Sequence, residues 1–315
     1  MFKWKKIGKI FDPTSVQGRP WMHEFAQCTS TLIFNDFIRV YFSCRPIRED
    51  DGRVVSHTTF VDLDRQNLKK IVRIANSPIL ELGALGTFDE FGIYPSCVLR
   101  MNNLIYFYYA GWTRPMSVFA DAAIGVAISN DGEKFYRLGQ GPIISKTLNE
   151  PFQFSGPKVR IFNNKMYMFY LAGEKWVLTN DKRTETYYKI RLATSEDGLN
   201  WTRTGQNIIE SILDNECQAG PDVFYYNNKY HMYFSYRYGL DFRNNNRGYR
   251  IGYAVSDDLI NWVRDDENAG IGLSDVGWDS KDMHYPHVFE CDGQIYMLYN
   301  GNEFGRFGFG LAVLD

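Results

Sequence analysis

A short pattern occurs five times along this 315-residue chain, and its step constrains the fold more than any single residue does. Four copies are Tyr94-Pro95-Ser96-Cys97-Val98, Gly156-Pro157-Lys158-Val159, Gly220-Pro221-Asp222-Val223 and Tyr285-Pro286-His287-Val288. A degenerate first copy is Cys28-Thr29-Ser30-Thr31-Leu32. The anchors at 29, 95, 157, 221 and 286 are 66, 62, 64 and 65 residues apart. Self-similarity at a fixed step is the mark of a repeat architecture.

Each anchor is followed by a polar turn and an aromatic-rich run, such as Ile105-Tyr106-Phe107-Tyr108-Tyr109 or Met166-Tyr167-Met168-Phe169-Tyr170. The turns carry Asn163-Asn164, Asn227-Asn228 or Asp292-Gly293, which is hairpin chemistry. A third strand follows in most repeats, for example Ile124–Ser129, Ile190–Ser195 and Ile251–Ser256. Ser-Asn-Asp-Gly (129–132) and Ser-Glu-Asp-Gly (195–198) then turn the chain into a fourth strand, opened by Phe135, Trp201 or Trp262. Each repeat is therefore a four-stranded antiparallel sheet, the unit of a propeller blade. The expected fold is all-β: a five-bladed β-propeller, one domain over 1–315, with blades near 22–84, 85–148, 149–212, 213–276 and 277–315. The last repeat ends after its third strand. Trp4-Lys5-Lys6-Ile7-Gly8 matches the Trp-to-Gly spacing of Trp201–Gly205, so residues 2–10 are expected to supply the missing outer strand of blade five.

A net charge of −2 gives no field to attract nucleic acid or a membrane. No apolar run is long enough to span a bilayer. Five cysteines, an odd number on or beside strands, fit reduced buried thiols in a cytoplasmic protein, and the basic start lacks the apolar core of a signal peptide. No zinc spacing, phosphate loop or nucleophile elbow occurs, so no metal and no cofactor is expected.

The topology locates the chemistry. An inner strand starts at one mouth of the central channel, and the antiparallel second strand ends there. Residues just before each anchor and about sixteen past it therefore converge. Five before the anchors stand Glu24, Glu90, Phe152, Glu216 and Lys281, with Asp89, Asp282 and His284 beside them. The second set brings Arg45, Trp112, Lys175, Trp176, Arg237 and Asn302. Carboxylates, cations and aromatic faces at one funnel suit a carbohydrate: paired acids protonate a leaving oxygen and activate a nucleophile. In a ring of five, blade four faces the seam of blades one and two, so Glu216 is set against Glu24 and Asp89. The catalytic candidates are Asp89, Glu216 and Glu24. Arg45, Glu90, Trp112, Lys175, Trp176, Arg237, Asp282, His284 and Asn302 are the substrate-binding candidates. Arg45 and Arg237 also suit a bracing role between blades. His284 and His287, three apart on a strand, are expected on opposite sides.

The runs Asn164–Tyr170, Asn228–Phe234 and Ser195-Glu-Asp-Gly-Leu-Asn-Trp201 resemble those of the five-bladed propeller glycosidases, including glycoside hydrolase families 43, 32, 68 and 130. The resemblance covers the whole chain and implies a carbohydrate-active enzyme with its site in the channel mouth. Families 43 and 32 carry an Asp on the first inner strand, and Thr29–Phe34 contain none. Family 130 phosphorylases need one proton donor plus basic residues for phosphate. Their Glu-Asp-Pro-Arg run is absent, with Phe88-Asp89-Glu90 nearest to it. Three activities stand open: a glycoside hydrolase, a cytoplasmic phosphorylase or transferase using the basic mouth for an anion, and a non-catalytic glycan-binding propeller. An oligosaccharide or glycoside is the expected partner in each.

Overall fold

The computed structural model describes residues 2–48, 54–244 and 247–315; the side chains of Pro95 and Ser96 lie outside that description. Five four-stranded antiparallel sheets form the blades of a propeller. Blade one holds Glu24–Ile33, Phe37–Arg45, His57–Asp64 and Asn67–Ile74. Blade two holds Gly92–Met101, Leu104–Thr113, Asp121–Ser129 and Tyr136–Arg137, and blade three Phe154–Phe162, Lys165–Leu178, Thr184–Ser195 and Thr202–Asn207. Blade four holds Cys217–Tyr226, Lys229–Arg237, Arg250–Ser256 and Val263–Arg264. Blade five is built from His284–Cys291, Gln294–Asn300 and Phe309–Leu314, with Trp4–Phe11 as its outer strand. The ring closes as expected: Trp4 pairs with Leu314 and Lys6 with Ala312. Trp4 also donates from Nε1 to the Tyr233 hydroxyl at 2.8 Å, fastening the closing strand to blade four.

Local chemistry accounts for the strands and turns. Asn102, Asn103, Asn163, Asn164, Asn227 and Asn228 take left-handed backbone at the hairpin tips, which asparagine tolerates best among residues with a side chain. In the Ser-x-Asp turns the side chains replace backbone partners: the Ser195 hydroxyl accepts Gly198 N–H at 2.9 Å, and Asp197 accepts Leu199 and Asn200 N–H, each at 2.8 Å. Trp201 and Trp262 belong to this turn, each donating to the carbonyl three residues back at 3.0 Å. Apolar clusters fill the seams between neighbouring blades, as with Tyr41, Ile93, Phe107 and Phe135 between blades one and two. Inter-blade packing is the core of this molecule.

The anchors are bulges. Register slips at Gln27/Ser30, Pro95/Cys97, Ser155/Lys158, Ala219/Asp222 and His284/His287, one at each anchor, with a second slip at Glu24/Gln27 in blade one. Cys28, Gly156, Gly220 and Tyr285 sit there with φ of 56, 57, 56 and 50°. Glycine is required at 220, where a Cβ would stand 2.8 Å from the Tyr285 ring. A bulge inserts one residue and re-aims its neighbours. One such bulge lies between His284 and His287. His284 meets Tyr249 and Phe304, while His287 turns to Asp222 and Lys158.

Candidate active site

The channel is plugged below its mouth by charged side chains from several blades. Asp222 accepts from His287 Nδ1 at 2.6 Å and from the Val288 amide at 2.9 Å, and it pairs with Arg160. Lys158 Nζ lies 3.6 Å from Asp222 and 3.2 Å from His287, whose Nε2 reaches Thr31 N–H at 3.0 Å. Blades one, three, four and five thus meet in one buried network. Asp222 is desolvated, yet Arg160, Lys158 and His287 hold its carboxyl well below the usual range. Burial and the Lys158 charge push His287 down to about 4, so the imidazole is neutral near pH 7.

All three catalytic candidates are held in ion pairs. Asp89 is fully buried, bonded by Tyr109 Oη at 3.0 Å and paired with Arg137 of its own outer strand at 2.7 Å. Glu216 is likewise buried, with Arg264 at 2.8 Å and Gln218 at 2.7 Å. The same brace recurs as Glu150 with Arg203 at 3.0 Å in blade three and Asp279 with Lys6 at 2.7 Å in blade five. In four blades, an acid from the loop entering the inner strand clasps a cation of the outermost strand. Glu24, the third candidate, is nearly buried and bonded at 2.7 Å to Arg306 of blade five.

The binding candidates divide similarly. Trp112 is buried, donating to Ser56 at 2.9 Å in the seam of blades one and two. Glu90 accepts Gly86 N–H at 2.9 Å. Lys175 is exposed, 4.6 Å over the Tyr187 ring, and Trp176 is half-buried on the same long hairpin of blade three. Asn302 organises the loop before blade five, accepting Lys281 and Asp282 N–H at 2.7 and 3.1 Å. Arg45, Arg237, Asp282 and His284 do gather at the mouth, with tyrosines that sequence reasoning passed over.

Arg45 lies 4.2 Å over the Phe25 ring and donates to Tyr94 Oη at 2.5 Å. Arg237 lies 3.5 Å over Phe242 and donates to Tyr188 Oη at 2.8 Å and to two backbone carbonyls. Among the described residues neither arginine has a carboxylate partner, and each has a buried Nε without a hydrogen bond. The Tyr188 and Tyr249 hydroxyls are hydrogen-bonded to each other at 2.5 Å. Tyr285 is buried among them, its phenol raised by desolvation and by Tyr249, Cys28, Tyr188 and Tyr94. Burial pushes the Cys28 thiol up to about 12 and the His284 imidazole down to about 3.

Asp282 is different from the other acids. Burial raises its carboxyl above the ordinary range, outweighing the Tyr249 amide at 2.9 Å, the Arg250 charge, the Glu303 backbone and the Arg237 charge. It is the one carboxyl among the described residues whose titration is clearly pushed upward. Backbone strain gathers on the same side. Phe25, Cys28, Tyr285, Glu303 and Phe304 all have φ between 50 and 66°, at about 1–3 kcal/mol each for residues with side chains. One signal for this mouth was legible: the residue before each anchor is Gly in blades three and four but Cys28, Tyr94 and Tyr285 elsewhere. A separate cavity of about 500 Å³ lies between the closing strand and blade one, but its Lys9 and Asp12 pair with each other at 2.5 Å. Among the described residues no metal-binding cluster occurs.

No protein-family model matches the chain. Two uncharacterized proteins of Mycobacterium tuberculosis, MT1551 of strain CDC 1551 / Oshkosh and Rv1502 of strain ATCC 25618 / H37Rv, are each 34% identical over 314 residues, covering 99% of both chains. A 1,2-β-oligomannan phosphorylase from Thermoanaerobacter sp. (strain X514) is 25% identical over 252 residues, 78% of this chain and 77% of that one. A solved glycoside hydrolase superposes with a TM-score of 0.76 at 17% identity, covering 99% of this chain and 92% of its own. A GH130 structure, from a family of mannoside phosphorylases containing glycoside hydrolases that target β-1,2 mannosidic linkages in Candida mannan, gives 0.68 at 15% identity over 99% and 93%. At these identities the structural likeness is one of fold.

Proposed function

The chain belongs to the family of the mycobacterial proteins MT1551 and Rv1502, on the five-bladed scaffold of the propeller glycosidases, and from that premise we propose an enzyme that breaks a glycosidic bond with Asp282 as proton donor. The observation that carries it is the raised carboxyl of Asp282 at the mouth, while Asp89, Glu216, Glu150 and Asp279 are held in ion pairs. A half-buried acid whose carboxyl is raised by desolvation can give its proton to a leaving oxygen. Asn302, the Tyr249 amide and the absence of a side chain at Gly248 set its position; a Cβ there would lie 1.9 Å from Asp282 Oδ1.

Phosphate is favoured over water as the acceptor. A hydrolase of the two-carboxylate kind needs a second free acid as base or nucleophile, and the acids around the mouth are engaged. Arg45, without a carboxylate partner among the described residues and backed by the Tyr94 hydroxyl, suits an oxyanion instead. A phosphate oxygen would attack the anomeric carbon as Asp282 protonates the departing oxygen, leaving a sugar 1-phosphate and a shorter glycoside. The distant likeness to an oligomannan phosphorylase supports this reaction, and a β-1,2-mannoside is the first substrate to try. Incubation of the protein with 1,2-β-mannobiose and inorganic phosphate should yield mannose 1-phosphate, and Asp282→Asn should abolish it. Free mannose independent of phosphate would turn the reading to hydrolysis. No product from any disaccharide, with or without phosphate, would sink it.

A further inference from the structure

The connection Gly301–Gly308 of blade five lies across the mouth and lands on blade one. Arg306 Nε bonds Glu24 Oε2 at 2.7 Å, and the Arg306 carbonyl accepts Phe25 N–H at 2.9 Å. The Phe304 carbonyl accepts from Gln27. Two consecutive residues of the strap, Glu303 and Phe304, hold left-handed backbone at φ 56 and 59°, and so does Phe25 beneath them at 66°. Strain on both sides of a contact marks an arrangement kept by its partners rather than by local preference. Gly308, with φ 102°, ends the strap where it passes close to the closing strand: a Cβ there would lie 1.7 Å from the Phe11 carbonyl oxygen.

Phe304 packs 6.0 Å from both Tyr249 and His284 and 5.9 Å from Phe242. Around it, among the described residues, are polar atoms with no well-formed hydrogen bond: Nε of Arg237, Oε1 of Gln27 and the ring nitrogens of His284, which lie beside the Phe304 backbone. Native proteins satisfy nearly all such groups, so several together need a reason. The Glu303 backbone also acts on the Asp282 carboxyl, so strap and proton donor are in contact.

We propose that residues 303–307 are a gate over a sugar subsite, with Phe304 as its plug and the Glu24–Arg306 pair as its latch. The inference rests on the glycosidic reading above and adds the ring-binding pocket to it. The orphaned atoms identify the ligand class. Arg237 Nε donates, Gln27 Oε1 accepts and a neutral His284 does one at each nitrogen. Hydroxyl groups answer such a mixed set, because each donates and accepts. A phosphate would leave the Gln27 acceptor unmatched. The Tyr249 ring, met edge-to-face by Phe304 when the gate is shut, would line the sugar site. The closed gate lowers apparent affinity by the fraction of molecules that are open.

Hydrogen exchange and calorimetry on the full chain test this without turnover, so an inactive protein would overturn the reaction and not the gate. In Arg306→Gln and in Glu24→Gln, the Phe25 amide should exchange at least about tenfold faster than in the parent, while amides of Ile38–Phe42 stay protected. The double variant should add little to either. Unchanged exchange at Phe25 in folded variants overturns the gate. With manno-, gluco-, galacto- and arabino-configured disaccharides as probes, Arg306→Gln should bind at least one more tightly than the parent, and His284→Ala should lose that binding. Equal affinity in parent and Arg306→Gln overturns the latch. Binding of none by an Arg306→Gln protein whose Phe25 exchanges fast overturns the sugar assignment.

Discussion

At the scale of single residues, Asp282 and Asp89 show what separates a reactive carboxyl from a structural one. Both lie just before an inner strand, Asp89 fully buried and Asp282 half-buried, and spacing alone treats them alike. Asp89 has an arginine 2.7 Å away, and Asp282 has backbone amides and distant charge. A raised carboxyl favours the fold while protonated, and that advantage disappears as pH rises through its shifted pKa. Asp282→Asn, permanently neutral, should therefore melt at a higher temperature than the parent at pH 8 and lose the difference toward pH 4, while turnover is abolished; scanning calorimetry and a product assay check the two halves. A variant no more stable at pH 8 would mean that the carboxylate is well solvated. For the same reason, activity of the parent should fall on the alkaline side as Asp282 gives up its proton. None of this was legible from the chain, because a titration depends on which partners arrive in space. Arg45, Arg237 and His284 were legible, since topology alone brings them to the mouth. Tyr94 and Tyr285 were also within reach, standing where other copies have glycine.

At the scale of the blade, the acid-to-cation brace explains why carboxylates crowd this end of the molecule. Each ties the loop entering the innermost strand to the outermost strand, holding a sheet together across its full width. Removing one partner of a buried pair leaves an uncompensated charge, so Arg137→Met or Arg264→Met should cost about 3–5 kcal/mol in urea unfolding. Turnover per folded molecule should survive, and so it should in Asp89→Asn and Glu216→Gln; loss of turnover without loss of stability would return these acids to the chemistry. The repeat concealed the brace because its acid stands seven, six, five and seven residues before the anchors at 286, 95, 221 and 157. The loops and bulges absorb that variation, so a fixed register finds Asp89 and Glu216 but not that Glu150 and Asp279 do the same work. Strands and turns were easy by contrast, since aromatic runs and Asn or Ser-x-Asp turns are local chemistry.

At the scale of the whole ring, two features hold five blades together. The first is the buried network of Lys158, Asp222 and His287 about the channel. A histidine held down at about 4 favours the fold while neutral; that contribution is complete above the ordinary value of 6.5 and is lost as pH falls from there toward 4, on the order of 3 kcal/mol. Asp222, held low, contributes above the ordinary carboxylate range and loses its contribution below it. The midpoint of urea unfolding should therefore drop between pH 6.5 and 4, and His287→Asn should flatten that drop. The second feature is the closing strand. Trp4→Ala removes a buried indole and its bond to Tyr233, a loss of about 3–5 kcal/mol measurable by denaturant titration.

Pairing of the strand Trp4–Phe11 with Phe309–Leu314 also sets an order of events during synthesis. The strand Trp4–Phe11 cannot find its partner until the chain has been made as far as Phe309–Leu314. Until then it must wait as a loose segment while four sheets assemble behind it. Such long-range pairing is slow, and unpaired edges invite association with other chains. The nascent protein is therefore most exposed to aggregation, and most in need of a chaperone, in the interval between completion of the fourth blade and arrival of the last strand.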